Sequence, residues 1–462
     1  MPLLESPMDT NPFKPDFTWG AAAASYQIEG AAHADDKGLS VWDIFCQQPG
    51  KVAGGDNGVV ACDHYHRSID DVQLMSEIGL QAYRLSISWP RVLPAGVGTV
   101  NQEGLDFYDR LVDCLLSHNI QPWVTLFHWD YPYDLYCRGG WLNRDSADWF
   151  ADYTQVIVDK LSDRVQHWIP QNEPQCFIGL GHQQGEHAPG LKLSLREMLL
   201  AAHHSFLAHG KSVQVIRDRA QLPPTIGTAL VGIVAIPATD SPADIEAARK
   251  ATLSVKAKNC WNNTWFADPI LRGEYPADGL QLFREHLPEI SAEDLKTMHQ
   301  PLDFYGLNIY QGYTVTAKPN GGYTFVSPAV GAPRTTMDWP ITPEALYWGP
   351  KFIHERYQLP IAITENGMAN SDWVHHDGQV HDPQRIDFLK GYLGAFGDAI
   401  ASGIPAKGYF LWSIMDNFEW AYGYQKRFGI IHVDYGTQQR TLKDSAHWYK
   451  QVIASQGEVL RR

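Results

Sequence analysis

Cysteine is scarce in this sequence. Six cysteines are scattered through 462 residues, at positions 46, 62, 114, 137, 176 and 260, and no two of them form a C-x-x-C pair. A disulfide scaffold or a zinc ribbon needs several closely spaced thiols, so neither is indicated. We therefore expect the thiols to be reduced.

Basic charge and long apolar runs are also lacking. Lys and Arg number 37 against 52 Asp and Glu, which gives a formal net charge of -15. Nucleic-acid binding needs clustered cations, so an uncharged small-molecule substrate fits better than a polyanion. The first residues, MPLLESPMDTNPFKPDF, do not resemble a secretory leader, and no stretch of about 18 apolar residues follows. We expect a soluble, cytoplasmic enzyme without a membrane partner.

What the sequence does have is an alternation of apolar runs and amphipathic segments, typical of a parallel sheet covered by helices. The eight runs are FTWGAAAASYQ, AYRLSIS, QPWVTLFHW, QHWIPQNE, TIGTALVG, DFYGLNIY, PIAITENG and KGYFLWSIMDNF. They predict an α/β fold, a single-domain (β/α)8 TIM barrel over residues 1–462, with about 1–15 and 445–462 as terminal extensions. The stretches around 40–60, 180–200 and 310–345 are then loops that decorate the barrel.

Polar and aromatic residues stand at the carboxyl ends of six of these predicted strands. Active sites of (β/α)8 barrels lie at that end. The residues are Arg84, His128, Trp129, Asn172, Glu173, Asn308, Tyr310, Glu365 and Trp412. Any one of them has an alternative role in a salt bridge or a capped loop. Together they predict one active site at the mouth of the barrel.

Two glutamates in this set each stand at the end of a buried apolar run. Glu365 ends the buried run of IAITENG, and Glu173 ends that of WIPQNEP. A carboxylate at the end of a core strand is expensive to desolvate, so it persists where it is paired or used. Two such carboxylates across one barrel suit glycoside hydrolysis, in which one protonates the leaving oxygen and the other attacks or stabilises the anomeric carbon.

The motifs around these residues resemble a known family. NEP and TENG occur in order with SYQIEGA, YRLSISWPR, FHWD, YGLNIY and WSIMDNFEW. Seven such blocks from about Phe17 to Tyr435 are similar to glycoside hydrolase family 1, the retaining β-glucosidases. The resemblance implies hydrolysis of terminal β-D-glucosyl residues of cello-oligosaccharides or of aryl and alkyl β-glucosides, with side activity on β-galactosides or β-fucosides. It implies no metal and no organic cofactor.

The resemblance also assigns roles at the reacting centre. Glu173 would be the acid/base and Glu365 the nucleophile. Arg84 and Tyr310 would keep Glu365 ionised and lower its pKa, and Asn172 would bond the sugar 2-hydroxyl. Glu173 starts the reaction protonated, so we expect its pKa to be the higher of the two.

The other matched positions look like a cup for one hexose and an adjoining aglycone site. The implied substrate-binding residues are Gln27, His128, Trp129, Asn308, Trp339, Trp412, Glu419, Trp420 and Phe428. Trp339 would form one wall of the aglycone site, with Cys176 and His187 near its entrance. Because a carboxylate at position 419 would repel a 6-phosphate, phosphorylated glycosides are not expected. Asp338 and Pro340 depart from the family pattern and leave the aglycone preference open.

Two other classes of function compete with this interpretation. His64 and His66 in DHYHR have the H-x-H spacing seen in metal hydrolases, but they precede a helical pattern instead of ending a strand. A barrel that binds sugar without catalysis is the second alternative, and the presence of both glutamates argues against it. The oligomeric state is left open.

Overall fold

A computed structural model describes residues 11–319 and 321–461, and eight parallel strands form its centre. We number them β1 (Thr18–Ala22), β2 (Ala82–Ser86), β3 (Gln121–Phe127), β4 (His167–Gln171), β5 (Thr225–Ile226 and Leu230–Val231), β6 (Tyr305–Asn308), β7 (Ile361–Asn366) and β8 (Ala406–Trp412). Each of them falls almost entirely within one of the eight runs read from the sequence.

The strands close into a barrel through the interrupted strand β5. Neighbouring strands pair in parallel from β1 to β4 and from β6 to β8, and β8 returns to β1. The first piece of β5 pairs Ile226 with Trp168 of β4, and the second pairs Leu230 with Leu307 of β6. The predicted (β/α)8 barrel is therefore confirmed.

Helices surround the barrel, and their apolar faces cover it. The longer ones are His64–Ile78, Gln102–Ser117, Ser146–Leu161, Leu195–Arg219, Pro242–Leu253, Ala345–Tyr357, Pro383–Ala401 and Asp444–Ala454. In Gln102–Ser117 the buried residues include Leu105, Tyr108, Val112 and Leu115, at the spacing of one helical face. In the described part of the chain, no helix is long and apolar enough to cross a membrane.

Shorter helical segments connect strands and helices. The α-helical ones are Ser25–Ile28, Val41–Phe45, Trp89–Val92, Tyr133–Cys137, Pro174–Ile178, Thr264–Leu271, Ala277–Phe283 and Ala292–Met298. Ala53–Gly55, Gly140–Leu142, Trp420–Tyr422 and Glu458–Arg461 form 3-10 turns, and Gly179–Gln184 forms a π-helical turn.

Most of the stretch 445–462, which was expected to be a terminal extension, is helical in the structure. The helix Asp444–Ala454 follows β8 along the chain and contacts the helices Pro383–Ala401 and His64–Ile78. Its Tyr449 is fully buried and donates a hydrogen bond to the carbonyl of Gly20 in β1, at 2.8 Å. Burial of that helix face makes the segment part of the fold. Of the expected extension at 1–15, residues 1–10 lie outside the described residues, and Phe13 packs edge-on against Phe17.

Two small sheets lie outside the barrel. One joins Val234–Pro237, Gly312–Ala317 and Tyr323–Phe325, so part of the stretch expected as a loop around 310–345 is a hairpin. The other pairs Ile431–Val433 with Arg440–Leu442.

Large rings fill the barrel interior below its carboxyl end. Trp123 packs against Phe304 and Phe410, with ring centroids 5.2 and 4.7 Å apart. All three are buried, and they belong to a core cluster inside the barrel. Any cavity at the carboxyl end is therefore closed at the bottom by packed side chains.

Candidate active site

A cavity of about 660 Å³ opens at the carboxyl ends of the strands. The predicted site residues that line it are His128, Trp129, Glu173, Asn308, Tyr310, Trp339, Glu365, Trp412, Glu419, Trp420 and Phe428. The other three, Gln27, Arg84 and Asn172, are buried next to these wall residues and hydrogen-bond to them. The structure thus brings the whole predicted set together.

Glu365, near the end of β7, is held at both carboxylate oxygens. Arg84 on β2 places Nη1 2.6 Å from Oε1, and the Tyr310 hydroxyl donates to Oε2 at 2.7 Å. The guanidinium is buried and is itself fixed by Thr125 Oγ1, which accepts from Nε at 3.1 Å. A buried carboxylate paired in this way has one orientation and a nearby compensating charge.

Asn308 connects the second carboxyl to the first. Its Nδ2 donates to Glu173 Oε1 at 2.9 Å and to Asn172 Oδ1 at 3.0 Å. The Thr364 hydroxyl donates to Asn308 Oδ1 at 2.6 Å, which fixes the amide with its nitrogen towards Glu173. Arg84 Nη2 also donates to Asn172 Oδ1, at 2.7 Å. One network therefore orients both glutamates.

The two carboxyls differ in their electrostatic surroundings. Burial, followed by the charge of Glu365, raises the pKa of Glu173 to about 8. Burial also raises the pKa of Glu365, but the charge of Arg84 and the Tyr310 hydroxyl oppose that rise. Arg84 and Tyr310 therefore lower the pKa of Glu365 as expected, but burial outweighs them, so the net pKa lies above its ordinary value. Of the two carboxyls, only Glu365 is paired with a guanidinium. A proton shared between them therefore resides on Glu173.

Three side chains of the cavity start from left-handed backbone. The φ angles are +46° at Glu173, +80° at Trp129 and +48° at Trp420. For residues other than glycine this conformation costs about 1–2 kcal/mol, so surrounding contacts must hold it. Glu173 N donates to the carbonyl of Ala229 at 2.8 Å, and Trp129 Nε1 donates to that of Asn172 at 3.0 Å. Such strain concentrates at functional sites.

Polar groups crowd one end of the cavity. Gln27 Nε2 donates to the Phe418 carbonyl at 2.9 Å and lies 3.4 Å from Glu419 Oε2. Burial, with the nearby charges of Glu365 and Glu173, raises the pKa of Glu419 to about 8. Carboxyl and amide groups in such a dry site can both donate to and accept from a polyhydroxylated ligand.

The buried side chain of His128 is neutral. Burial, followed by the charge of Arg84, lowers the pKa of His128 well below its usual value. Its Nε2 lies 3.1 Å from Asn172 Nδ2. Because an amide nitrogen only donates, Nε2 is the acceptor and the ring proton is on Nδ1.

Aromatic rings form the remaining walls. Trp420 lies against Trp129 with ring centroids 4.6 Å apart, and Trp339 lies 5.2 Å from Tyr310 and 6.1 Å from Phe428. Trp339 is therefore in contact with a residue that touches Glu365. Cys176 and His187, expected near the entrance, also line the cavity.

Several residues that contribute to the site were not predicted from the sequence. Thr364 and Thr125 orient Asn308 and Arg84, and the position of Thr364 inside TENG could have suggested a role. The outer wall also contains Trp261, Gln311, Tyr313, Met337 and Tyr422. These five come from loops, a 3-10 turn and a hairpin, where no periodic pattern indicates which side chains face a cavity.

The H-x-H pair does not form a shared ligand set. His64 Nδ1 is 2.8 Å from Asp71, whereas His66 Nδ1 is 2.6 Å from Asp63 and the His66 side chain is exposed. Within residues 11–319 and 321–461, no three His, Cys, Asp or Glu side chains are grouped so as to hold a metal ion.

Comparison with known proteins gives consistent matches over almost the whole chain. The family described as "Glycosyl hydrolase family 1" matches residues 9–458. A "1,4-beta-D-glucan glucohydrolase" of Thermotoga neapolitana is 46% identical over 452 residues, 96% of this chain and 99% of that protein. "Beta-glucosidase A" of Thermotoga maritima is 45% identical over 457 residues, 97% of this chain and 99% of that protein.

A solved structure agrees with these sequence matches. The β-glucosidase from Thermotoga maritima in complex with glucoimidazole superposes with a TM-score of 0.88 at 45% identity. The alignment covers 96% of this chain and 99% of that one.

Proposed function

The chain belongs to glycosyl hydrolase family 1, and we propose that this β-glucosidase removes terminal β-D-glucosyl residues with retention of configuration. The natural substrates we propose are cello-oligosaccharides and aryl or alkyl β-glucosides. The observation that carries the mechanism is the pair of buried carboxyls in one cavity, of which only Glu365 is paired with a guanidinium.

The reaction takes two displacements. In the first, a Glu365 oxygen attacks the anomeric carbon while Glu173 gives its proton to the glycosidic oxygen, whose bond to that carbon breaks. The aglycone leaves as an alcohol, and the glucosyl group is esterified to Glu365. In the second, Glu173 takes a proton from water, the water oxygen attacks the same carbon, and Glu365 is released as a carboxylate.

Retention requires the two carboxyls to be about 5–5.5 Å apart, without room for a water between them. Asn308 and Arg84 support this proposal, because Asn308 donates to Glu173 and to Asn172, and Arg84 donates to Asn172 and to Glu365. A short hydrogen-bonded chain of side chains between the two carboxyls favours the close spacing. An inverting enzyme needs a wider gap.

The polar end of the cavity is the proposed site for the glucosyl unit. Asn172 would bond the 2-hydroxyl, and Gln27, His128, Glu419 and Trp420 would bond the other hydroxyls above the face of Trp412. A sugar phosphate would bring further negative charge into a buried site that already holds the Glu365 carboxylate, so we propose unphosphorylated substrates. Galactosides and fucosides differ from glucosides at hydroxyls of the same cup, which supports side activity on both.

The test uses the purified full chain and 4-nitrophenyl glycosides. We expect clear hydrolysis of the β-glucoside, weaker hydrolysis of the β-galactoside and β-fucoside, and none of the 6-phospho-β-glucoside. A chain that releases no 4-nitrophenol from the β-glucoside, or that prefers the phosphorylated substrate, would refute the proposal. A cytoplasmic location and a role in cellulose degradation stay predictions.

A further inference from the structure

We propose that Tyr313 and Phe325 form an outer platform on which the third or a later glucose unit of a β-linked oligomer lies. The platform extends the cavity past the rings that surround the scissile bond. This inference rests on the proposed function, since it names the part of a long substrate that leaves the cavity.

The hairpin geometry places the two rings side by side. The strands Gly312–Ala317 and Tyr323–Phe325 are antiparallel, and Phe325 is directly opposite Val315. Paired residues share a face of the sheet, and so do residues two apart in a strand, so Tyr313 is on that face as well. The ring centroids of Tyr313 and Phe325 are 5.2 Å apart.

Tyr313 connects this face to the cavity. It is one of the residues that line the cavity, two positions after Gln311, which lines it too. Tyr310, three residues earlier, donates its hydroxyl to Glu365. At about 3.3 Å per residue, position 313 lies at most about 10 Å along the chain from position 310. Phe325 then extends the series of rings towards solvent.

Phe325 lies at the outer edge of a group of rings, against Tyr313 and Tyr323, and most of its own ring stays exposed. Its side chain is 65% exposed, whereas nearly all large aromatic residues of the described chain are buried or half-buried. Of the three exposed ones, Trp373 is covered on one side by His375 and does not line the cavity. Tyr422 lines the cavity mouth, and Phe325 touches a residue that lines it. Exposed rings at a cavity mouth indicate a binding surface.

The chemistry of the outer cavity favours a sugar over an alkyl chain. A pyranose has apolar C–H faces and hydroxyls at its edges, so it suits flat rings with polar groups between them. Here the cavity is lined by the rings of Tyr313, Trp261 and Trp339 and also by the polar side chains of Gln311 and Glu186. An alkyl aglycone would leave those polar groups without partners.

The test is the variant Phe325→Ala, assayed on cellobiose, cellotriose, cellotetraose and 4-nitrophenyl β-glucoside. We expect kcat/KM to fall about three- to tenfold for cellotetraose, mainly through KM, and less for cellotriose. Cellobiose and the aryl glucoside should stay within about 1.5-fold of wild type, because their short aglycones end inside the cavity. Phe325→Trp should restore the preference for long substrates.

Val330→Ala is the matched control. Val330 is a fully exposed apolar residue between the hairpin and Trp339, and we expect no change on any of the four substrates. Unchanged kcat/KM of Phe325→Ala on cellotetraose would overturn the inference, as would an equal loss on all four substrates.

An alkyl substrate separates the two possible occupants. A loss confined to octyl β-glucoside, with cellotetraose unaffected, would overturn the assignment to a sugar. Wild-type protein that hydrolyses the aryl glucoside while Phe325→Ala shows no length effect would refute the platform alone. Wild-type protein that hydrolyses no β-glucoside would refute the proposed function as well.

Discussion

The inner and outer halves of the cavity are built in different ways. In the inner half, side chains from β2, β6, β7 and the two residues after β4 form one hydrogen-bonded network around Glu173 and Glu365. In the outer half, rings from loops and from the hairpin Gly312–Ala317 and Tyr323–Phe325 lie side by side. Rigid strands can hold reacting groups to within the small tolerance that catalysis needs, whereas loops can vary without disturbing them.

This difference predicts a division of effects. Changes in the inner half should reduce activity on every β-glucoside, because they act on the sugar and the bond that breaks. Changes in the outer half should depend on the aglycone. The following variants test that division, from the largest expected effect to the smallest.

Glu365→Ala should cause the largest loss. Without the nucleophile no glucosyl ester forms, and we expect kcat to fall by about 10⁴-fold or more on all substrates. Azide should restore turnover of 2,4-dinitrophenyl β-glucoside, because the small anion fits where the carboxylate was, and the product should be α-glucosyl azide by NMR. Retention of more than about one per cent of wild-type kcat would contradict the role of Glu365.

Glu173→Gln should change the pH dependence. Burial and the charge of Glu365 raise the pKa of Glu173 to about 8, so activity that needs its proton is present below that pH and is lost above it. The variant should lose this basic limb and about 10²–10⁴-fold of kcat/KM on substrates with poor leaving groups. The measurement is kcat/KM for methyl and 2,4-dinitrophenyl β-glucosides across the pH range. An unchanged basic limb would assign it to another group.

Glu419→Ala should reduce glucoside hydrolysis about 10- to 100-fold, since a sugar hydroxyl would lose its partner in a dry site. The 6-deoxy-β-glucoside should lose less, because it lacks the 6-hydroxyl, which is the hydroxyl that we expect Glu419 to bond. Comparing kcat/KM for the two sugars with the same leaving group isolates that contact. Equal losses would place Glu419 outside direct contact with the 6-hydroxyl.

Trp339→Ala should give the smallest effect and the one most dependent on substrate. The loss of one aromatic contact with an aryl aglycone corresponds to about a two- to tenfold rise in KM. Methyl β-glucoside, which has almost no aglycone, should be hydrolysed as by wild type. If KM rises as much for the methyl glucoside as for the aryl glucoside, Trp339 acts by supporting Tyr310 and belongs functionally to the inner half.

The same division explains what the sequence could predict. The residues of the inner half could be predicted from the sequence because they stand at the ends of apolar runs, as in IAITENG and WIPQNEP. Barrel geometry makes such positions converge. The break in β5, between Ile226 and Leu230, is not visible in the uniform run TIGTALVG. The hairpin and Trp261 lie in loops, whose side-chain directions depend on tertiary contacts.

Whether the pKa of Glu365 is raised or lowered overall could not be predicted from the sequence, for a different reason. A motif indicates that Arg84 is a partner, but it does not give the extent of desolvation around the carboxyl. In the structure burial is the larger influence, so the pKa of Glu365 is raised although the ion pair is present. The difference between the two glutamates, and not the absolute pKa of either, was the predictable feature.

The most direct test of the account is proton NMR of the wild-type enzyme during hydrolysis of an aryl β-glucoside, recorded before the released glucose mutarotates. Double displacement through Glu365 predicts that the β anomer of glucose appears first. First appearance of the α anomer would mean that water attacks in a single displacement between more distant carboxyls, and would contradict the proposed roles of Glu173 and Glu365.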